Sequence, residues 1–191
     1  MRPSILAFAG STRTESYNKR LIKIAVAGAQ AAGAEVTLID LRDFPLPLYD
    51  GDLEARDGLP ANARKLKDLF LSHRGLLISA PEYNSSITAV LKNTIDWVSR
   101  PVPGEPPLAG FDGKVAALMS ASPGALGGLR GLVHLRSILQ NIKVIVLPDQ
   151  VAVAKAGDAF KPDGSLKDPQ QHAAVEGLGV KLAQLLSKLC A

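Results

Sequence analysis

Residues 5–18 read Ile5-Leu6-Ala7-Phe8-Ala9-Gly10-Ser11-Thr12-Arg13-Thr14-Glu15-Ser16-Tyr17-Asn18. Five consecutive apolar residues stop at a glycine, as a strand buried on both faces does. A turn crowded with hydroxyls follows. From about Asn18 to Ala32 the residues Leu21, Ile22, Ala25 and Ala29 recur at helical spacing, and Gly33 stands where a helix C-cap falls. Strand, polar turn and helix form one unit, and the rest of the chain repeats it.

Val36 to Ile39 reads as a second strand, followed by a turn-rich, charged stretch over residues 41–60. A helix is expected from about Ala61 to Ser72 and a third strand from Leu76 to Ser79. The next helix spans about Ser86 to Ser99, with Ile87, Val90, Leu91, Ile95 and Val98 on one side. Pro101, Pro103, Pro106 and Pro107 make residues 101–112 a loop. Val115 to Met119 is the fourth strand, residues 127–140 a helix, and Val144 to Leu147 the fifth strand. A polar loop runs to Pro169, and a last helix carries Val175, Leu178, Leu182, Leu185 and Leu189, a stripe expected to pack on the sheet. Strands alternating with helices give right-handed parallel crossovers with helices on both faces. The expectation is one α/β domain over residues 1–191, a doubly wound five-stranded parallel sheet. Its ligand then lies at the C-terminal strand ends, in the loops after the first, third and fourth strands.

The 191 residues are 47% hydrophobic and 21% charged with a formal net charge of +4, which excludes a disordered chain. A single cysteine, Cys190, excludes a disulfide scaffold and, with three scattered histidines, leaves no zinc-ligand spacing, so no metal is expected. The reducing cytoplasm is the expected compartment. No uncharged stretch approaches the roughly 20 residues that span a bilayer, so no membrane partner is expected. Basic residues are spread along the chain and aromatics make up only 5%, which argues against nucleic acid and for a small anion.

The three loops fit such a ligand. Ser11, Arg13, Ser16 and Asn18 sit where a helix offers free N–H groups and the positive end of its dipole, the setting a phosphate needs. Capping the helix would take only Ser16 or Asn18. The turn has neither the lysine of a Walker loop nor the three glycines of a dinucleotide fingerprint, so Asp40, ending the second strand, reads as structural. Pro81, Glu82, Tyr83 and Asn84 follow the third strand and suit a flat heteroaromatic ligand, or a rigid loop with Ser85 or Ser86 as a cap. After the fourth strand, Ser122, Gly124, Gly127 and Gly128 let a backbone come close to a ligand, or only serve a tight turn. No nucleophile or poised base is evident, so an enzyme built this way leaves its chemistry to a cofactor.

The motifs Gly10-Ser11-x-Arg13-x-x-Ser16-x-Asn18, Pro81-Glu82-Tyr83-Asn84-x-Ser86 and Leu91-Lys92-Asn93-x-Ile95-Asp96-Trp97 resemble the NADPH-dependent FMN reductase family over essentially the whole chain. The resemblance implies a flavodoxin-like fold and an FMN-dependent NAD(P)H oxidoreductase. Hydride passes from NADPH or NADH to FMN and then to a small-molecule acceptor (quinone, azo dye or flavin) with ping-pong kinetics. It implies that Ser11, Arg13, Ser16 and Asn18 hold the FMN phosphate. Pro81, Glu82, Tyr83 and Asn84 would border the isoalloxazine, with Ser122 and Gly124 at its other edge and no catalytic side chain. It also implies a homodimer or homotetramer, with the helix after Asn84 and residues 101–112 as candidate contacts, and Tyr49 as a pocket residue. Lys92 and Asp96 read as a surface ion pair and Trp97 as a packing anchor. A flavodoxin-type electron carrier is the alternative, against which the basic net charge argues; a plain nucleotide-binding module is a second rival.

Overall fold

The opening unit folds as its pattern requires. Ser4–Ala9 (β1) is buried along nearly its whole length, and Tyr17–Ala31 (α1) turns Leu21, Ile22, Ala25 and Ala29 inward. Gly33, at φ +85°, lets Ala34 N–H reach Ala29 O and close the helix. The structure is a computed structural model that describes residues 2–189; Cys190 lies outside the described residues. The elements that follow are Glu35–Asp40 (β2), Gly51–Asp57 (α2), Ala61–Ser72 (α3), Gly75–Ser79 (β3), Glu82–Tyr83 (β4), Ser86–Ile87 (β5) and Ala89–Val98 (α4). Then come Val115–Ala121 (β6), Leu129–Asn141 (α5), Ile145–Val153 (β7), Ala156–Ala159 (α6) and Pro169–Leu189 (α7).

The main sheet has the order β2-β1-β3-β6-β7 with every pair parallel. The chain leaves β1 toward β2 and returns across it to β3, so the switch point lies between β1 and β3. Alternate residues of each strand serve opposite layers. Ile5, Ala7, Leu77, Ala117 and Met119 pack with Leu21, Ala25, Leu178 and Leu182 of α1 and α7. Leu6, Phe8, Leu76, Ile78 and Leu118 pack with Leu66, Phe70, Leu91, Ile95 and Leu135 of α3, α4 and α5. The helices α1 and α7 meet closely: a Cβ on Gly28 would stand 2.2 Å from Glu176 O, and one on Gly179 1.9 Å from Ala25 O.

Four expectations change. The turn-rich stretch 41–60 contains α2, whose first turn is capped by the Asp50 carboxylate accepting from Asp52 N–H; with no buried residue it carries no apolar period. The helix expected from Ser86 starts at Ala89, capped by Thr88 rather than Ser85 or Ser86, because Ser86–Ile87 pairs antiparallel with Glu82–Tyr83. The fifth strand runs on to Val153 through an irregularity in its pairing with β6, with Pro148 tolerated on this edge strand. In α7 the stripe ends on buried Leu186, four residues after Leu182, and Leu189 is exposed, since the 3.6-residue period overtakes the steps of three and four.

Candidate functional site

The turn between β1 and α1 presents unpaired donors. Ser16 occupies the N-cap position, yet its hydroxyl makes no capping bond and has no partner among the described residues. The first-turn N–H groups of Tyr17 and Asn18 likewise have no acceptor among the described residues. Ser11 Oγ accepts from Arg13 N–H at 3.3 Å, and the Arg13 guanidinium is exposed with no acceptor among the described residues. Gly10 is dictated by packing: a Cβ there would lie 2.9 Å from Leu91 of α4. Thr88 fastens the same junction by donating from Oγ1 to Gly10 O at 2.7 Å.

Asn18 is a cross-brace. Its side-chain Nδ2 donates to Ala121 O at 2.8 Å, while Oδ1 accepts from Ala121 N–H at 3.0 Å and from Ser79 Oγ at 2.8 Å. One buried amide thereby ties the start of α1 to the C-terminal ends of β3 and β6. Its carbonyl oxygen is fully used, so an anion would meet the backbone N–H of this residue and the remaining amide hydrogen. The alternative that Ser16 or Asn18 serves only as a helix cap does not describe either side chain.

After β3 the chain makes the β4–β5 hairpin. Asn84 (φ +51°) and Ser85 (φ +67°) are both left-handed, the backbone a two-residue hairpin turn of this type demands. Asn84 is at the tip and does not border the cleft, so its identity is accounted for by the turn. Glu82 anchors the hairpin to α5: Oε1 accepts from Arg130 at 3.0 and 2.7 Å, and Oε2 from Gly131 N–H at 3.0 Å. Burial pushes this carboxyl up, but the bonds from Gly131 and Arg130 outweigh it and hold the group below its ordinary value. His134 Nδ1 meets Ser86 Oγ at 2.9 Å and ties the second strand of the hairpin to the same helix. Tyr83 is left exposed beside the cleft, with its ring available to a ligand.

The third loop is closed by backbone bonds. Ser122 N–H donates to Val153 O, Ser122 O accepts from Ala156 N–H, and Gly124 O accepts from Lys155 N–H. Gly124 has room for a Cβ, which would meet only Ser122 Oγ at 3.7 Å, and its φ is not positive; it stays outside the cleft lining. The glycines that geometry requires are Gly127 and Gly128, where a Cβ would stand 2.7 Å from Val153 C and 1.9 Å from Ser120 Oγ. That Ser120 hydroxyl is fully buried and has no hydrogen-bond partner among the described residues.

Ser11, Arg13, Ser16, Asn18, Pro81, Glu82, Tyr83 and Ser122 come together around one narrow cleft of about 50 Å³, joined by Tyr17, Ala121 and Pro123. Its one bordering carboxylate, Glu82, has both oxygens engaged, so no negative group opposes Arg13 inside it. Wider depressions of about 510 and 560 Å³ flank α1; the first is lined by charge already paired, Lys19 with Asp40 at 2.5 Å and Arg20 with Glu15 at 2.8 Å, and the second sets Asp163 and Glu176 beside Arg20 and Lys23. Donor chemistry, not size, marks the site. Sequence reasoning did not single out Tyr17, Ser79, Thr88 or Arg42, whose contacts cross the fold and leave no local signal. Tyr49 also stands apart from the cleft. Its ring lies edge-on to Trp97 at 5.1 Å under the Arg100 guanidinium, and its hydroxyl donates to Glu54. Asn93 and Trp97 both donate to Pro47 O at 2.8 Å, so the third motif straps residues 47–49 onto α4. Lys92 and Asp96 form the expected ion pair at 2.8 Å. Among the described residues no helix is long and apolar enough to cross a membrane.

Comparison with known proteins gives a consistent picture. Residues 3–158 match the family described as NADPH-dependent FMN reductase. The chain is 35% identical over 173 residues to an NAD(P)H-dependent FMN reductase of Pseudomonas aeruginosa, covering 90% of this chain and 89% of that one. It is 34% identical over 143 residues to a quinone reductase of Escherichia coli, covering 75% and 72%. Among solved structures, the flavoenzyme NAD(P)H:acceptor oxidoreductase FerB of Paracoccus denitrificans superposes with a TM-score of 0.80 at 26% identity, covering 97% and 98%. An archaeal flavodoxin superposes at 0.63 with 10% identity, a likeness of fold alone.

Proposed function

The chain belongs to the NADPH-dependent FMN reductase family, and from that premise we propose that its cleft binds FMN and serves electron transfer from NAD(P)H to a quinone, azo or flavin acceptor. One observation carries the placement: the β1–α1 turn holds an unopposed arginine, an N-cap hydroxyl that caps nothing, and free helix N–H groups. A phosphate dianion needs this donor set, and nothing in the cleft repels it. The residues therefore fit the coenzyme.

In this reading Arg13, Ser11, Ser16 and the first N–H groups of α1 bind the phosphate. Tyr83 and Pro81 border the ring system on one side and the Ser122–Gly124 backbone on the other. Asn84 and Glu82 act on it indirectly, through the hairpin turn and its anchorage to α5. The redox chemistry would come from FMN held there, as a carrier of hydride from a nicotinamide and of two electrons to an acceptor. The protein's own tasks are to bind, orient and leave one ring face open; no side chain of the cleft stands as a poised acid or base.

The test is Arg13→Ala. Losing a charged hydrogen bond to phosphate weakens FMN binding by about 1.5–3 kcal/mol, roughly 10–150-fold in Kd, read by flavin fluorescence quenching. An unchanged Kd would remove the phosphate from this turn. Steady-state lines with varied NADPH and quinone are expected to be parallel, as one shared pocket requires, and a carrier without its own NADPH oxidation would show no turnover at all.

We further propose that copies of the chain associate beside the cleft. Tyr83, Leu126, Leu129 and Val133 are 51%, 50%, 41% and 57% exposed on and next to the start of α5, an apolar stripe on the rim. Half of the residues of α4, by contrast, are buried. Light scattering on the holoprotein should give a dimer or tetramer mass, and Val133→Glu should lower it. A reducing cytoplasmic setting completes this reading.

A further inference from the structure

Residues 12–15 of the phosphate turn have no regular structure and are exposed, yet the turn can present Arg13 and Ser16 to a ligand only if its backbone is held. The hold comes from outside the cleft. At the end of β2, Asp40 accepts from Arg42 N–H at 3.0 Å and from Lys19 Nζ at 2.5 Å. This turns the Arg42 side chain back across some 30 residues of sequence. Its Nε donates to Thr12 O at 2.9 Å, and its Nη2 donates to Thr14 Oγ1 at 2.9 Å and also to Thr12 O. Arg42 does not border the cleft; it lines a separate depression of about 210 Å³ with Thr12, Phe44 and Val90. A planar guanidinium with donors at fixed angles fixes two acceptors in one geometry, which the single ammonium of lysine cannot do.

We propose that Arg42 is a positioning residue: a clasp that pre-forms the phosphate turn in the ligand-free protein by bridging Thr12 and Thr14, while Arg13 faces the anion. The proposal rests on the phosphate reading of this turn. The chain Lys19–Asp40–Arg42–Thr12/Thr14 couples the start of α1, the end of β2 and the turn, so the ordering cost of residues 12–15 is met in folding rather than in binding.

The experiment uses full-length Arg42→Ala, Arg42→Lys and Arg13→Ala proteins. In the FMN-free state, Arg42→Ala should raise amide hydrogen exchange at residues 12–16 with the thermal midpoint unchanged, since Arg42 is exposed. Its Kd for FMN should rise about tenfold, the scale of re-ordering a few side chains on binding. Arg42→Lys should recover part of both. Because Arg42 does not face the anion, the salt dependence of Kd should match the parent's, whereas Arg13→Ala should flatten it without changing exchange. Unchanged exchange in Arg42→Ala overturns the clasp. Faster exchange with an unchanged Kd overturns its service to binding, and a flattened salt slope overturns positioning in favour of direct contact. If Arg13→Ala also leaves Kd unchanged, the phosphate reading itself fails.

Discussion

Asn18 offers the sharpest test of how this site is held together. Replacing it with alanine deletes three hydrogen bonds at once and leaves the Ala121 N–H, the Ala121 C=O and the buried Ser79 hydroxyl without partners. A buried group left unsatisfied costs about 1–3 kcal/mol. The Ser79 hydroxyl can rotate toward another acceptor and the nearby cleft admits water, which places the sum near the low end, about 3 kcal/mol. For a domain of this size that is a fall in Tm of roughly 6–12 °C. Urea unfolding should show the same loss as a lower midpoint with an unchanged slope. Asn18→Asp separates shape from hydrogen bonding. It keeps an acceptor for Ser79 and Ala121 N–H but sets an anionic oxygen against Ala121 O, so at neutral pH it should destabilise at least as much as alanine. Protonation at low pH restores a donor toward Ala121 O, and the deficit relative to the parent should shrink there. A change in stability below about 0.5 kcal/mol in Asn18→Ala would refute the brace. Weakened FMN binding at undiminished stability would reassign this side chain to the ligand.

Other expectations concern charge and packing. Glu105 clamps the proline-rich loop onto α3 through Arg64 at 2.5 Å and the buried Lys67 at 2.9 Å, although its Oε2 lacks good hydrogen-bond geometry. Glu105→Gln strands the buried Lys67 charge, and the loss measured by urea unfolding should be about 2 kcal/mol. The neighbouring Lys67 ammonium and then the Arg64 guanidinium hold the Glu105 carboxyl below its ordinary 4.5. Its contribution is thus complete above that value and disappears as acid titrates the folded carboxylate, and the acid limb of the stability curve should flatten in Glu105→Gln. At Lys114 it is the charged form that folding disfavours. Burial, helped by Arg74, lowers its ammonium from 10.5 to about 8, and its one hydrogen bond is to His73 O. Between those two pH values the unfolded chain binds more protons, so stability should rise with pH across that window, and Lys114→Met should abolish the rise. Gly179→Ala places a Cβ 1.9 Å from Ala25 O and forces α7 off α1; a loss of several kcal/mol by calorimetry is expected, and tolerance of alanine would contradict the close helix contact.

Much of the site could be read along the chain because its ingredients are local. A short apolar run, a turn of hydroxyls with Arg13, and a helical period define a β1–α1 junction whichever partners it later meets. Pro81 and Tyr83 or Ser122 could be placed at strand ends for the same reason. Other roles are carried by contacts between distant residues. Glu82 looks like a ligand-facing carboxylate until the hairpin sets it on Arg130 and Gly131, 48 and 49 residues away. Gly124 resembles a close-approach glycine, yet the positions without room for a Cβ are Gly127 and Gly128.

The sequence by itself determined the parallel α/β architecture, since short continuous apolar runs and a 3.6-residue period are written into consecutive residues and the crossover hand follows from chirality. It also determined which three turns would converge, because strand order carries them to one end of the sheet. Tertiary structure alone decided which side chains in those turns stay free. Asn18 became a brace, Arg42 a clasp and Tyr49 a strap because the acceptors they satisfy lie on other elements, and a hydrogen bond between residues far apart in sequence leaves no periodicity to read.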